Sequence, residues 1–123
     1  MRIVLSVLLL GHGVAHLPGF LVDLRLRSIR ELPFRTTVLG GSVDIGSAGI
    51  KVVGLAWLTA AIALGVLAIA VFVRVPWWPP FAYLAVGLSI LLCVLGWPEA
   101  RLGLLANLVI LMLLVFGHRV HWL

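Results

Sequence analysis

Two imidazoles stand one helical turn apart in the segment Gly11-His12-Gly13-Val14-Ala15-His16. At positions i and i+4 they fall on the same face of a helix, and Asp23, about two turns further on, shares that face. A pair of this kind can offer two ring nitrogens to a transition metal, pass a proton, or hydrogen-bond a small ligand such as a quinone-like head group. A metal site on His12 and His16 needs at least one more ligand, which the sequence offers in Asp44, Cys93 or a second copy of the chain. Haem fits less well, because two histidines on one turn cannot supply both of its axial positions.

Other polar residues within apolar stretches include Thr59, Ser89 and Asn107. At 1.5 Å of rise per residue, His16 lies about 10 Å from Asp23, Asn107 about 9 Å from Arg101, Thr59 about 12 Å from Lys51 and Ser89 about 12 Å from Trp97. His12, His16, Thr59, Ser89, Asn107 and Cys93 are therefore expected in one layer, with Asp44 reaching down to it. One reading makes the layer a polar cavity; the other makes it interhelical glue, worth roughly 0.6–2 kcal/mol per bond. His118 and His121 sit beside Arg119 and Trp122, a combination that reads as interface anchoring. No Ser/His/Asp array, phosphate-binding loop or Gly-x-Gly-x-x-Gly motif is present, so the sequence carries no catalytic signature. Cys93 is the single cysteine, which excludes an intrachain disulfide and CxxC chemistry.

The elements that must position these residues follow from composition. Of 123 residues, 63% are hydrophobic and 11% charged, with a mean hydropathy of +1.26; soluble domains are roughly 45–50% apolar and about 25% charged. So few charges cannot cover so small a globule, and the excess apolar surface must face lipid. Apolar runs at Ile3–Val22, Ile50–Val73, Phe81–Trp97 and Leu102–Gly117, the last continuing to about His118, are long enough to span a bilayer. The expected fold is all-α, a transmembrane antiparallel four-helix bundle forming one domain over 1–123, with a long first loop at 23–49. The net charge of +5 comes from bases scattered at the ends of the runs, the pattern of helix-end anchors rather than of nucleic-acid binding.

Arg2 followed by Ile3–Leu10 and Gly13-Val14-Ala15 has the outline of a signal peptide, but the apolar run resumes through Leu17–Val22, so an uncleaved first helix is expected. Arg2, Arg74 and Arg119 fall on the side of the termini, whereas Arg25, Arg27, Arg30, Arg35, Lys51 and Arg101 fall on the other. That excess places the loop side in the cytoplasm and both termini on the non-cytoplasmic face. Within the loop, Asp23–Arg35 interleaves arginines with Leu24, Leu26, Ile29 and Leu32, which suits a short interfacial helix or plain helix-end anchoring. Gly40–Gly49 has no apolar period and is expected to be a close-packed turn or re-entrant strip over the mouth of the bundle. Small residues recur at Gly11, Ala15 and Gly19, at Ala61, Gly65 and Ala68, and at Ala85, Ser89, Cys93 and Gly96, the pattern of closely packed helices. Faces left over in so small a bundle predict a second copy or a larger membrane partner.

Through Leu9-Leu10-Gly11-His12-Gly13-Val14-Ala15-His16-Leu17, Gly41-Ser42-Val43-Asp44-Ile45-Gly46 and Leu95-Gly96-Trp97-Pro98-Glu99-Ala100-Arg101, the chain resembles a group of small, uncharacterised bacterial four-helix membrane proteins. It is also distantly similar to the DoxX-like proteins, whose first helix carries a His-Gly pair in a similar place. His16 stands where those proteins tend to have a basic residue. The resemblance implies the four-helix fold and a bacterial inner-membrane location, and no particular activity. Two functions are therefore expected of the chain. One is a binding or transport module that holds a small ligand, proton or metal ion at His12, His16, Asn107, Thr59, Ser89 and Asp44. The alternative is a non-catalytic accessory subunit of a larger membrane complex.

Overall fold

A computed structural model describes the whole chain, Met1–Leu123. Its elements are α1 (Arg2–Ala15), α2 (Leu17–Asp23), β1 (Thr37–Val38), β2 (Val43–Asp44), α3 (Gly46–Val73), α4 (Trp78–Leu95) and α5 (Arg101–Arg119). With α1 and α2 taken as one path, Arg2–Asp23, four helices are long and apolar enough to cross a membrane. They pack as a closed bundle in which α1 touches α3 and α5, α3 touches α4, α4 touches α5, and α2 leans on α3.

The first of these four helical paths is broken at His16, for a reason that lies in Pro18. Proline has no N–H to give the carbonyl four residues back, and its ring crowds that carbonyl, so it is tolerated only in the first turn of a new helix. The chain tightens before it: the His16 N–H turns to Gly13 O at 3.1 Å, and Pro18 falls in the opening turn of α2. Pro79 and Pro80 likewise sit in the first turn of α4, which starts at Trp78 and not after the prolines. Gly46–Gly49 belong to α3, whose start is held by Asp44 Oδ1 accepting the Gly46 N–H at 2.9 Å.

Of the two readings of Asp23–Arg35, the interfacial helix does not form. α2 ends at Asp23, Arg25 takes a left-handed φ of 57°, and the Leu26 N–H closes back on Leu21 O at 2.8 Å, the wrap that terminates a helix. The segment continues as turns with a bridge between Ile29 and Leu32, and the Arg25 guanidinium lies 4.2 Å over the Phe34 ring. The glycine strip divides: Gly40 and Gly41, at φ of 67° and 89°, turn the antiparallel β1–β2 hairpin, whose register pairs Thr37 with Asp44 and Val38 with Val43. The Leu39 N–H then donates to Leu95 O at 2.8 Å and ties the hairpin to the end of α4.

The apolar core occupies one half of the bundle. It is formed by Leu5 and Leu9 of α1, Leu64, Leu67 and Val71 of α3, Trp78, Ala82 and Val86 of α4, and Ile110 and Leu114 of α5. At its outer end His118 stacks on Trp78, with ring centroids 5.2 Å apart. On α1 the close approach is made by Gly13, where a Cβ would lie 3.1 Å from Ala61 O and 3.2 Å from Leu64 Cβ; Gly11 faces open space. Of the expected Gly11, Ala15 and Gly19 stripe, Gly11 and Ala15 are exposed, because the two histidines turn the neighbouring face inward, and Gly19 packs on Trp57. Ala85, Ser89 and Cys93 of α4 are buried as a row.

Candidate functional site

Beyond the apolar core, in the half nearer the long loop, the bundle holds a layer of polar side chains. His16 is 2% exposed, His12 7%, and Ser89 and Asn107 0%. Ser89 Oγ lies 3.1 Å from His12 Nε2 and 2.7 Å from His16 Nε2, while His16 Nδ1 is 2.8 Å from His12 O. Their chemistry assigns the protons. A carbonyl can only accept, so His16 Nδ1–H donates to His12 O, and with the ring neutral His16 Nε2 is the acceptor. The Ser89 hydroxyl donates to it, and Ser89 Oγ accepts from His12 Nε2–H. The tightening imposed by Pro18 releases His12 O from the His16 N–H, and the His16 ring takes the place of that backbone bond. The two rings meet edge to face, 4.6 Å between centroids, and the Trp57 indole meets His16 at 5.1 Å.

Cys93 Sγ accepts a hydrogen bond from Asn107 Nδ2 at 3.5 Å, and Asn107 Oδ1 is buried with no partner. Asn107 thus lies in the layer beside Cys93 and makes no hydrogen bond to His16. Gly103 of α5 makes room here: a Cβ at this position would be 2.9 Å from Cys93 Sγ and 3.7 Å from His12 Cε1.

Two expected members lie elsewhere. Thr59 is exposed on the outer face of α3, its hydroxyl bonded to Leu55 O at 2.9 Å. Asp44 is exposed in the hairpin, occupied in holding the start of α3. No group of three or more His, Cys, Asp and Glu side chains is placed to hold a metal ion, and both histidine Nε2 atoms face the Ser89 hydroxyl, a neutral donor-acceptor rather than a third ligand.

A cavity of about 420 Å³ opens on this layer. His12, His16, Cys93 and Gly103 line its inner end; Trp57, Gly19, Ile50 and Val53 line its wall; Asp23 at the end of α2 and loop residues including Glu31, Arg35, Leu39 and Glu99 form its rim. Across the rim, Arg35 pairs with Glu99 at 3.3 Å, joining the long loop to the α4–α5 turn. Comparison with protein-family models, with curated proteins and with solved structures yields no match to this chain.

Sequence reasoning did not assign Trp57 to the cavity that it shapes. Trp57 is clamped between glycines: a Cβ on Gly19 would lie 2.8 Å from the indole Cγ and Cδ2, and one on Gly96 would lie 3.3 Å from Cζ2. The available signal was the one tryptophan deep within an apolar run, together with a glycine following Pro18.

Proposed function

We propose that this chain is a multi-pass membrane protein, an antiparallel four-helix bundle that binds a small molecule between its helices, in the cavity whose inner end is lined by His12, His16 and Cys93. The outward faces support the membrane setting, since Ile3, Leu84, Leu102 and Met112 are 67%, 73%, 74% and 72% exposed, a surface that only lipid or protein covers without penalty. The observation that carries the binding function is the cavity itself. Its volume of about 420 Å³ falls in the range of small-molecule sites, roughly 300–1,000 Å³, and it joins an apolar wall to a few fixed polar groups in the way such sites do. The Leu5, Leu9, Leu64, Leu67 and Leu114 cluster lies beyond its inner end, which favours a blind binding site over a conduit.

The cavity is tested by reactivity. With Cys93→Ala as background, Val53→Cys on the cavity wall is expected to react with a small water-soluble methanethiosulfonate in the membrane-embedded protein, while Leu67→Cys in the apolar cluster stays inert. An unreactive Val53→Cys would put the accessory-subunit reading in front.

Orientation follows from the excess of arginine on the loop side, which we assign to the cytoplasm of a bacterial inner membrane. In the same background, His121→Cys is expected to react with a membrane-impermeant thiol reagent on intact cells and Ser28→Cys is not. Labelling of residue 28 alone would invert the assignment.

A further inference from the structure

The cavity carries a charge opposite to that of the chain. The protein has nine Lys and Arg against four Asp and Glu, yet the cavity is lined by Asp23, Glu31 and Glu99, three of those four acids, and by one base, Arg35. Arg35 is already spent on Glu99, at 3.3 Å. Asp23 and Glu31 are left without an ion pair, although cations outnumber anions everywhere else on the molecule.

Asp23 is the more telling of the two. It is half-buried at the end of α2, its Cβ packed where a Cβ on Gly54 would come within 2.8 Å, and its carboxylate makes neither a hydrogen bond nor a salt bridge within the chain. A carboxylate held against a helix and left unpaired loses hydration without gaining a partner, so a bound cation recovers more here than at an open surface. About two helical turns separate it from His16, some 10 Å at the helical rise. The Trp57 indole meets His16 with ring centroids 5.1 Å apart, and the aliphatic side chains of Ile50 and Val53 line the same cavity. A bare metal ion would leave that apolar volume unfilled, and an anion would meet two unpaired carboxylates.

Resting on the binding function above, we infer that the occupant is an organic cation: an ammonium group at Asp23 and Glu31, a flat apolar body along Trp57, and a polar end that reaches toward the His16–Ser89 pair. An indole face attracts a cation as well as an apolar ring, so Trp57 favours the same class of ligand twice over.

Three probes of one shape separate charge from shape: tryptamine, tryptophol and indole-3-propionate, cationic, neutral and anionic at pH 7. Binding is measured by equilibrium dialysis against the full chain in phosphatidylcholine nanodiscs, with empty discs subtracted. Tryptamine is expected to bind at least ten-fold more tightly than tryptophol, and indole-3-propionate most weakly. Asp23→Asn, which keeps the shape of the side chain, is expected to abolish the preference for tryptamine over tryptophol while leaving tryptophol binding in place. Asp23→Glu should retain the preference, so a general loss of folding is distinguishable from loss of the charge. Equal or tighter binding of indole-3-propionate overturns the inference, as does a preference that survives Asp23→Asn. If none of the probes binds while Val53→Cys still reacts with the thiol reagent, the organic cation is excluded and the cavity reading stands; an inert Val53→Cys removes both.

Discussion

Ser89→Ala is expected to destabilise the bundle by about 1.5–3 kcal/mol, one of the largest losses available from removing a single oxygen atom. The Ser89 hydroxyl is shared by two imidazoles, at 3.1 Å from His12 Nε2 and 2.7 Å from His16 Nε2. Its removal breaks two hydrogen bonds and leaves an orphaned donor on one ring and an orphaned acceptor on the other, both in a buried layer. Intramembrane bonds average about 0.6 kcal/mol and reach about 1.7 because the unfolded helices find other partners in the membrane; two broken at once, with both partners stranded, lie at the upper end. Thr59→Ala is the matched comparison. It also deletes a hydroxyl from a span, but one that is exposed and bonded only to its own helix at Leu55 O, so a change within about 0.5 kcal/mol is expected. Reversible unfolding in mixed micelles measures both. Adding His16→Phe to Ser89→Ala removes one of the two stranded atoms, so the double variant should lose less than the sum of the single ones. Equal effects of the Ser89 and Thr59 substitutions would mean that the layer contributes nothing to holding the helices together.

The difference between those two hydroxyls also marks how far the sequence could be read. Depth along a span follows from counting residues at a fixed rise, and counting placed His12, His16, Ser89, Cys93 and Asn107 at one level, where the structure has them. Counting cannot fix rotation about the helix axis when a helix is apolar on every side. α3 is such a helix, with no polar stripe to orient it, and Thr59 shares the predicted depth but faces outward while Ala60 and Leu64 are buried. On α1 the histidine pair itself marked the inner face, which is why that half of the site was legible and the α3 half was not. Element ends failed for a related reason. Pro18, Pro79 and Pro80 all sit in first turns, where a missing N–H removes nothing, and a count of apolar residues does not mark those starts. The unpaired Asp23 was visible on the histidine face, but nothing in one dimension shows that it would find no base beside it amid so many arginines.

The other large effect concerns the wall of the cavity. Gly19→Val is expected to destabilise the bundle by about 1–3 kcal/mol and to displace Trp57. Gly19 lies within α2 in ordinary helical backbone, so glycine is required there for space and not for conformation. A Cβ would stand 2.8 Å from Cγ and Cδ2 of the Trp57 indole and 2.9 Å from Cδ1, against rigid ring atoms, and valine adds two methyl groups to that clash. The indole cannot retreat freely, because a Cβ on Gly96 would already be 3.3 Å from its far edge and because His16 packs on it at 5.1 Å. The strain must therefore part α2 from α3 or push the ring into the cavity. Trp57→Ala separates this cause from a general effect of valine in a helix. On its own it deletes the wall and destabilises by about 2–4 kcal/mol, but in its presence Gly19→Val has open space to fill and should change stability by less than about 1 kcal/mol. The same cycle reads the site, since the single Gly19→Val should slow thiol labelling of Val53→Cys while the Gly19→Val/Trp57→Ala pair restores it. Strictly additive stabilities, with labelling unchanged throughout, would show that the indole is not held by the two glycines and that the cavity does not depend on its place.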